Sequence, residues 1–193
     1  MLKKANVTQQ NQDFEWNSIK WKEVNDMVNN LRQRLYRATE EGDLKKVRNL
    51  QKLILRSHSN KLQAIRKVTL QNSGKNTPGI DGFVAISNKE RKLLYNKLSQ
   101  EKEPQSQAVK RVYISKENGK ERPLGLPTIA DRCRQSIVKT ALEPYWEVKF
   151  EGSSYGFRPS RGTHDAIQKI FCITRSGSNR PWILDADIKG AFD

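Results

Sequence analysis

The chain has 193 residues, enough for one well-filled core or for one domain with a small appendage. Hydrophobic residues make up 35% and the mean hydropathy is -0.82, with no apolar run near the roughly 18 residues that span a bilayer. Lys and Arg number 36 against 21 acids, a net charge of +15, which points to a polyanionic partner; a membrane surface is disfavoured because the basic helices keep too little apolar face beyond their core stripe.

Residues 1–16 are rich in Gln and Asn and are expected to be disordered. They lack the apolar stretch of a signal peptide and the Arg- and Ser-rich pattern of a transit peptide, so secretion is not expected. From Trp21 the spacing of Val24, Val28, Leu31 and Leu35 predicts a helix. Gly42 ends it and Asp43 caps a second, with Leu44, Val47, Leu50 and Ile54 inward. A third carries Leu62, Ile65 and Val68. Residues 20–67 hold 13 Lys/Arg and 5 acids, more excess charge than solubility requires, and Arg32, Arg34 and Lys45 are taken as RNA-binding candidates.

The turn-forming run 72–82 marks a domain boundary, so 17–72 reads as a basic helical domain. Ser87 and Glu90 form a capping box for a helix through Leu98. Val112 to Ile114 and Arg122 to Leu126 read as a hairpin closed at Asn118-Gly119. Thr128 with Asp131 opens a helix that includes Ile137, Ala141 and Leu142 and stops near Pro144. Thr163 is expected to cap another, with Ala166, Ile167 and Ile170 inward. Trp182-Ile183-Leu184 reads as a buried strand that delivers Asp185 and Asp187 at its carboxyl end. Cys133 and Cys172 lack metal-spaced partners and are expected to be buried free thiols.

Two aspartates two apart on a strand offer hard oxygen ligands to one face. Taken bare, such a pair also suits a glycosyltransferase, a phosphotransferase or a capped strand end. Lys116 and Arg122 flank the tight turn and could clamp a triphosphate, Arg through a bidentate fork and Lys as a point charge; on spacing alone an ordinary solvated hairpin is equally served.

Four segments taken together narrow the choice. The run Thr77-Pro78-Gly79-Ile80-Asp81-Gly82, the hairpin, Ser154-Tyr155-Gly156-Phe157-Arg158-Pro159 with Arg161, and Asp185-Ala186-Asp187-Ile188-Lys189-Gly190-Ala191-Phe192-Asp193 stand in an order and spacing that resemble group II intron reverse transcriptases. The helical segment before them resembles the family's N-terminal domain. The resemblance implies an α+β chain: basic N-terminal helices, then the fingers (73–180) and the first palm strand (181–193) of an incomplete right-hand polymerase. It implies copying of RNA into DNA, assistance to intron splicing, and a bacterial cytoplasm, plastid or mitochondrion as the setting.

Residue by residue, the resemblance makes Asp187 the first catalytic aspartate, a ligand of Mg²⁺ helped by the Ile188 carbonyl. It makes Phe192 the gate against a ribose 2′-OH, and Lys116, Arg122 and Lys110 the cations on the incoming dNTP. Thr77, Pro78, Gly79 and Asp81 belong to the loop covering the template, and Arg158 and Arg161 touch its backbone. Asp185 and Asp193 are assigned support. His58 and His164 match no family role. The expected partners are intron RNA, an RNA template with a DNA primer, and a separate C-terminal half if the enzyme is split. The family's later Tyr-x-Asp-Asp turn is absent from the sequence, so the chain alone is expected to be inactive as a polymerase. The alternative is a non-catalytic RNA-binding module that aids splicing.

Overall fold

The computed structural model describes residues 15–101, 105–115, 119, 121–175 and 182–188. They fall into two compact units, Met1–Val148 and Lys149–Asp193. Among the described residues the architecture is α+β: mostly helix with one two-stranded antiparallel sheet. No helix among the described residues is long and apolar enough to cross a membrane.

In the first unit, α1 (Trp21–Glu40) and α2 (Leu44–Arg56) form an antiparallel pair. Gly42 makes the turn with φ +72°, a left-handed value that favours glycine. The Asp43 amide returns to the Ala38 carbonyl at 3.0 Å, closing the helix end. The Asp43 carboxylate then accepts the Lys46 amide at 2.9 Å and starts α2. Val24, Val28, Leu31 and Leu35 are buried, as are Val47, Leu50 and Ile54. Leu44 is not: it is 54% exposed, because it occupies the first turn of α2, opposite the point where α1 has already ended.

Ser57 caps α3 (His58–Arg66), which runs into a π-helical turn, Lys67–Gln71. Asn60 is buried, and its amide donates to the carbonyls of Ile54 and Ile137 at 3.1 and 3.3 Å, satisfying the end of α2 and stitching it to a later helix. A capping box of Ser87 and Glu90 opens α4 (Asn88–Gln100). Buried Arg91 donates to the Thr69 hydroxyl, the Asn88 side chain and the Ile86 carbonyl.

The ribbon pairs β1 (Lys110–Ser115) with β2 (Glu121–Leu126). It is exposed along nearly its whole length, and Gly119 at its tip has φ +74°. Next comes α5 (Ile129–Lys149), opened by Thr128 and Asp131. Pro144 lies inside α5 and does not end it; proline removes one donor, but the buried surface on either side carries the helix past it. Leu142 faces out, 43% exposed, while Ala141 is buried.

Two apolar clusters fill this unit. One joins Trp16 and Val24 to Leu62, Ile65 and Val68, Leu94 and Leu98, and Ile129, Cys133 and Ile137. The other joins Leu31, Leu35 and Ala38 to Val47, Leu50, Ile54 and Ala141, with Tyr145 against it. Both draw on α1 and α5.

The second unit holds the 150–162 loop, α6 (Thr163–Thr174) and residues 182–188. Gly162, not Thr163, is the N-cap of α6; its amide donates to the Asp165 carboxylate at 2.7 Å. Ile167 and Ile170 are exposed, contrary to the expected inward face. Trp182, Ile183 and Leu184 are 80–90% exposed and form no strand. A single extended segment becomes a strand only by pairing, and none of the described strands pairs with it.

Cys172 is exposed, so the expectation of two buried thiols holds only for Cys133. Burial pushes the Cys133 thiol up to about 12 against the opposing pull of Arg134 and Arg132. A thiol-disulfide reagent at neutral pH is expected to titrate one thiol per native chain quickly and the second only in denaturant. Two fast thiols in the native protein would contradict the packing around Cys133.

Candidate nucleotide and nucleic-acid interface

Register decides what the ribbon presents. Lys110 lies opposite Leu126, Val112 opposite Leu124, and Ile114 opposite Arg122. Directly opposed residues share a face, so Lys110 and Arg122 are on the same side of the ribbon, at its two ends. Between them lie Val112, Ile114 and Leu124, an apolar floor with a cation at either end. Lys116 lies outside the described residues.

The loop 77–82 is seated on the N-terminus of α5. A side chain at Gly79 would put its Cβ 2.6 Å from the Thr128 Cα and 2.8 Å from its nitrogen, so only glycine allows this approach. Gly79 is therefore buried, while Thr77 and Asp81 are exposed and Pro78 is half-buried. The Asp81 carboxylate accepts the Phe83 amide at 3.2 Å, and Gly82 has φ +66°. The loop's fixed backbone leaves the edge with Thr77 and Asp81 to solvent.

Sequence reasoning missed the charged knot beside it. Asp131 accepts from the Thr128 hydroxyl (2.8 Å), the Gln107 amide (3.3 Å) and Arg134 (2.7 Å). Burial opposes its charge, but those hydrogen bonds outweigh it and hold the carboxyl below its ordinary value. Arg134 also reaches Glu101 at 2.5 Å. Arg132 donates to the carbonyls of Pro127 (3.0 Å) and Gly74 (2.9 Å). The Asp131–Arg134 spacing was legible as a helical ion pair; their distant partners had no local signal.

The predicted RNA-binding cations divide. Arg34 and Lys45 are exposed and line a shallow cleft of about 350 Å³ with Asp43, Lys46, Asn49, Leu50 and Leu53. Arg32 is half-buried and ion-paired with Glu143 at 2.6 Å. In the second unit Arg158 is 8% exposed, donating to the carbonyls of Glu151 and Ser154 at 2.6 and 2.9 Å and stacked over Phe150. It braces the loop from within. Arg161 donates to the Gly152 carbonyl at 2.6 Å and lies over the Tyr155 ring. The braced loop holds Phe157 outward with φ +59°.

Asp185 and Asp187 lie on the exposed 182–188 segment, where the Asp187 carboxylate accepts the Ile188 amide at 2.9 Å. Carboxylate oxygens are donors of the kind a divalent ion takes. Among the described residues, however, no three His, Cys, Asp or Glu side chains come together to hold a metal, so this part does not by itself fit a two-ion centre. Phe192 and Asp193 lie outside the described residues. His58 meets the Tyr95 hydroxyl at 2.5 Å, and burial, then Lys61, lowers its pKa.

Two family models match in chain order. Residues 16–98 match the N-terminal domain of reverse transcriptase, and residues 114–193 match reverse transcriptase (RNA-dependent DNA polymerase). The chain belongs to the reverse transcriptases, as an N-terminal part of the group II intron-encoded type. It is 37% identical over 133 residues to Protein YkfC of Escherichia coli, covering 66% of this chain and 35% of that protein. It is 44% identical over 88 residues to the group II intron-encoded protein LtrA of Lactococcus lactis, covering 45% and 14% respectively. It is 31% identical over 167 residues to Maturase-like protein 1 of Euglena longa, covering 83% and 35%. The chain thus spans about a third or less of the length of these relatives. Polymerases of this family use divalent metal ions.

Proposed function

We propose that the chain is the RNA-binding and nucleotide-gripping part of a group II intron reverse transcriptase/maturase. The observation that carries this is the exposed ribbon with Lys110 and Arg122 on one face, rooted at the same helix end that seats the 77–82 loop. Arg122 supplies a planar fork and Lys110 a point charge for a triphosphate, with Lys116 added from the turn. Thr77, Pro78, Gly79 and Asp81 belong to the loop that covers the template strand, and in the second unit Arg158 and Arg161 brace the 150–162 loop, whose part is to meet template backbone. Asp187, with the Ile188 carbonyl, provides one share of a Mg²⁺ site whose other ligands lie outside this sequence, and Phe192 screens the sugar. The helices up to residue 72 hold intron RNA through Arg34 and Lys45, with Arg32 behind them. The setting is a bacterial cytoplasm or an organelle, with an RNA template and DNA primer as the working complex. Where no polymerase half joins it, the same basic surface serves splicing alone, a reading favoured by the exposure of Arg34 and Lys45.

The test is RNA affinity as a function of salt. Each phosphate neutralised contributes about 0.9 to the log–log slope on duplex and about 0.7 on single strands. Arg34→Glu with Lys45→Glu is expected to weaken binding for all sequences alike and to lower the slope by about one for each phosphate no longer neutralised. Arg32 is left intact in this test, because a glutamate there would face Glu143. Affinity that stays level between low and high salt would refute the proposal.

A further inference from the structure

Three segments of separate purpose converge on the first turn of α5. The loop before α4 is held by Arg132 at the Gly74 carbonyl and by the close fit of Gly79 on Thr128. The exit of β2 is held by Arg132 at the Pro127 carbonyl, just beyond Leu126 at the end of the strand. The entry to β1 is held by Asp131 at the Gln107 amide, three residues before Lys110, and by Arg134 at the Gln105 carbonyl, 3.5 Å. Asp131 and Arg134 are themselves paired at 2.7 Å, and Thr128 is locked to Asp131 at 2.8 Å. The anchor at the β2 exit adjoins the last paired residue, Leu126, and the anchor at the β1 entry stands only Ala108 and Val109 away from the first, Lys110.

We propose that this turn is a mechanical joint through which contact at the 74–82 loop sets the stance of the ribbon, with Arg132 and Asp131 as positioning residues. The proposal rests on the reading of that loop as the template side and the ribbon as the nucleotide side. A six-residue strand reaches roughly 20 Å, so a tilt of about 5° at its foot moves the tip by roughly 2 Å. Displacements of that order decide whether cations meet a triphosphate in a productive pose. Arg132 is suited to this task because its planar guanidinium bonds the loop and the ribbon exit with two nitrogens at once; lysine would present one point donor. Asp131 completes the joint by tying the ribbon entry to the same turn.

The experiment is hydrogen exchange on the full chain, with and without an RNA template annealed to a DNA primer. In the unaltered protein the duplex is expected to slow exchange in 74–82 and also, by about fivefold or more, in 110–115 and 121–126. In Arg132→Gln the loop protection should remain while the ribbon's response disappears. Direct contact of nucleic acid with the ribbon would instead leave that response intact in the variant, and this result overturns the joint while leaving RNA binding standing. A duplex that protects no segment overturns both readings. Should circular dichroism show Arg132→Gln to be unfolded, Asp131→Asn tests the joint from the other side. Asparagine keeps one acceptor oxygen where the carboxylate uses one for Gln107 and the other for Arg134, so one hold on the ribbon entry is lost, and the change must reduce the ribbon's response while sparing the loop's.

Discussion

Asp187→Asn is expected to abolish primer extension when the chain is completed by the later palm and thumb of a relative, fused after Asp193 or supplied as a second chain. With Mg²⁺, dNTPs and an RNA template, the completed wild type should extend a DNA primer. The amide preserves size and can still accept a hydrogen bond, but it removes the negative charge that a divalent ion requires of its ligand. Asp185→Asn should reduce the rate far less, since that side chain is assigned support. Both residues sit on an exposed segment, so neither change should move the melting temperature of the chain by itself. Activity in Asp187→Asn together with its loss in Asp185→Asn would transfer the catalytic assignment to the earlier aspartate and displace Phe192 as the gate.

The second large effect is on stability. Leu35 has no exposed surface and sits where α1, α2 and the second half of α5 meet. Leu35→Ala leaves a cavity that close-packed neighbours cannot fill, at about 2–5 kcal/mol. For a unit of this size that lowers Tm by on the order of 10 °C. Leu44→Ala is the control: the same atoms are deleted from a half-exposed position at the head of α2, where about 0.5 kcal/mol or less is expected. Denaturant unfolding of the two variants distinguishes them, and equal losses would place Leu44 in the core after all.

The contrast between these leucines shows what the sequence could and could not disclose. Gly42, Asp43, Ser87 with Glu90, and Thr128 with Asp131 each act within four residues, so the beginnings of helices and the turn between α1 and α2 were readable from spacing. The stripe of α1 was equally plain because 20 residues of period 3.6 leave little ambiguity. Burial is different, since it depends on what lies opposite. Leu44, Ile167 and Ile170 fit their periodic patterns but meet no cover among the described residues. Trp182 to Leu184 has the composition of a strand without a partner among the described residues to make it one. Pro144 signalled a stop that tertiary packing overrides.

The candidate site divides the same way. Register puts Lys110 and Arg122 on one face, a pairing the hairpin pattern does not draw; Lys116, which that pattern sets beside Arg122, lies outside the described residues. Arg158, which the resemblance assigns to the template backbone, is an internal brace in this structure, because which carbonyls surround a guanidinium is decided by the path of a loop. The knot at Asp131, Arg132 and Arg134 joins residues 24 to 58 positions apart, beyond any local pattern.

Helix α5 contributes to both apolar clusters: Ile129, Cys133 and Ile137 to the first, Ala141 and Tyr145 to the second. It is also the last helix of its unit to be synthesised. While the ribosome adds the stretch from the end of α4 through the ribbon to Tyr145, at about 5–20 residues per second, the four earlier helices stand with both cores unfinished. For a period on the order of seconds, their apolar faces are open to chaperones and to other nascent chains. The order of the chain thus gives this protein a built-in interval of vulnerability that closes only when α5 has cleared the exit tunnel.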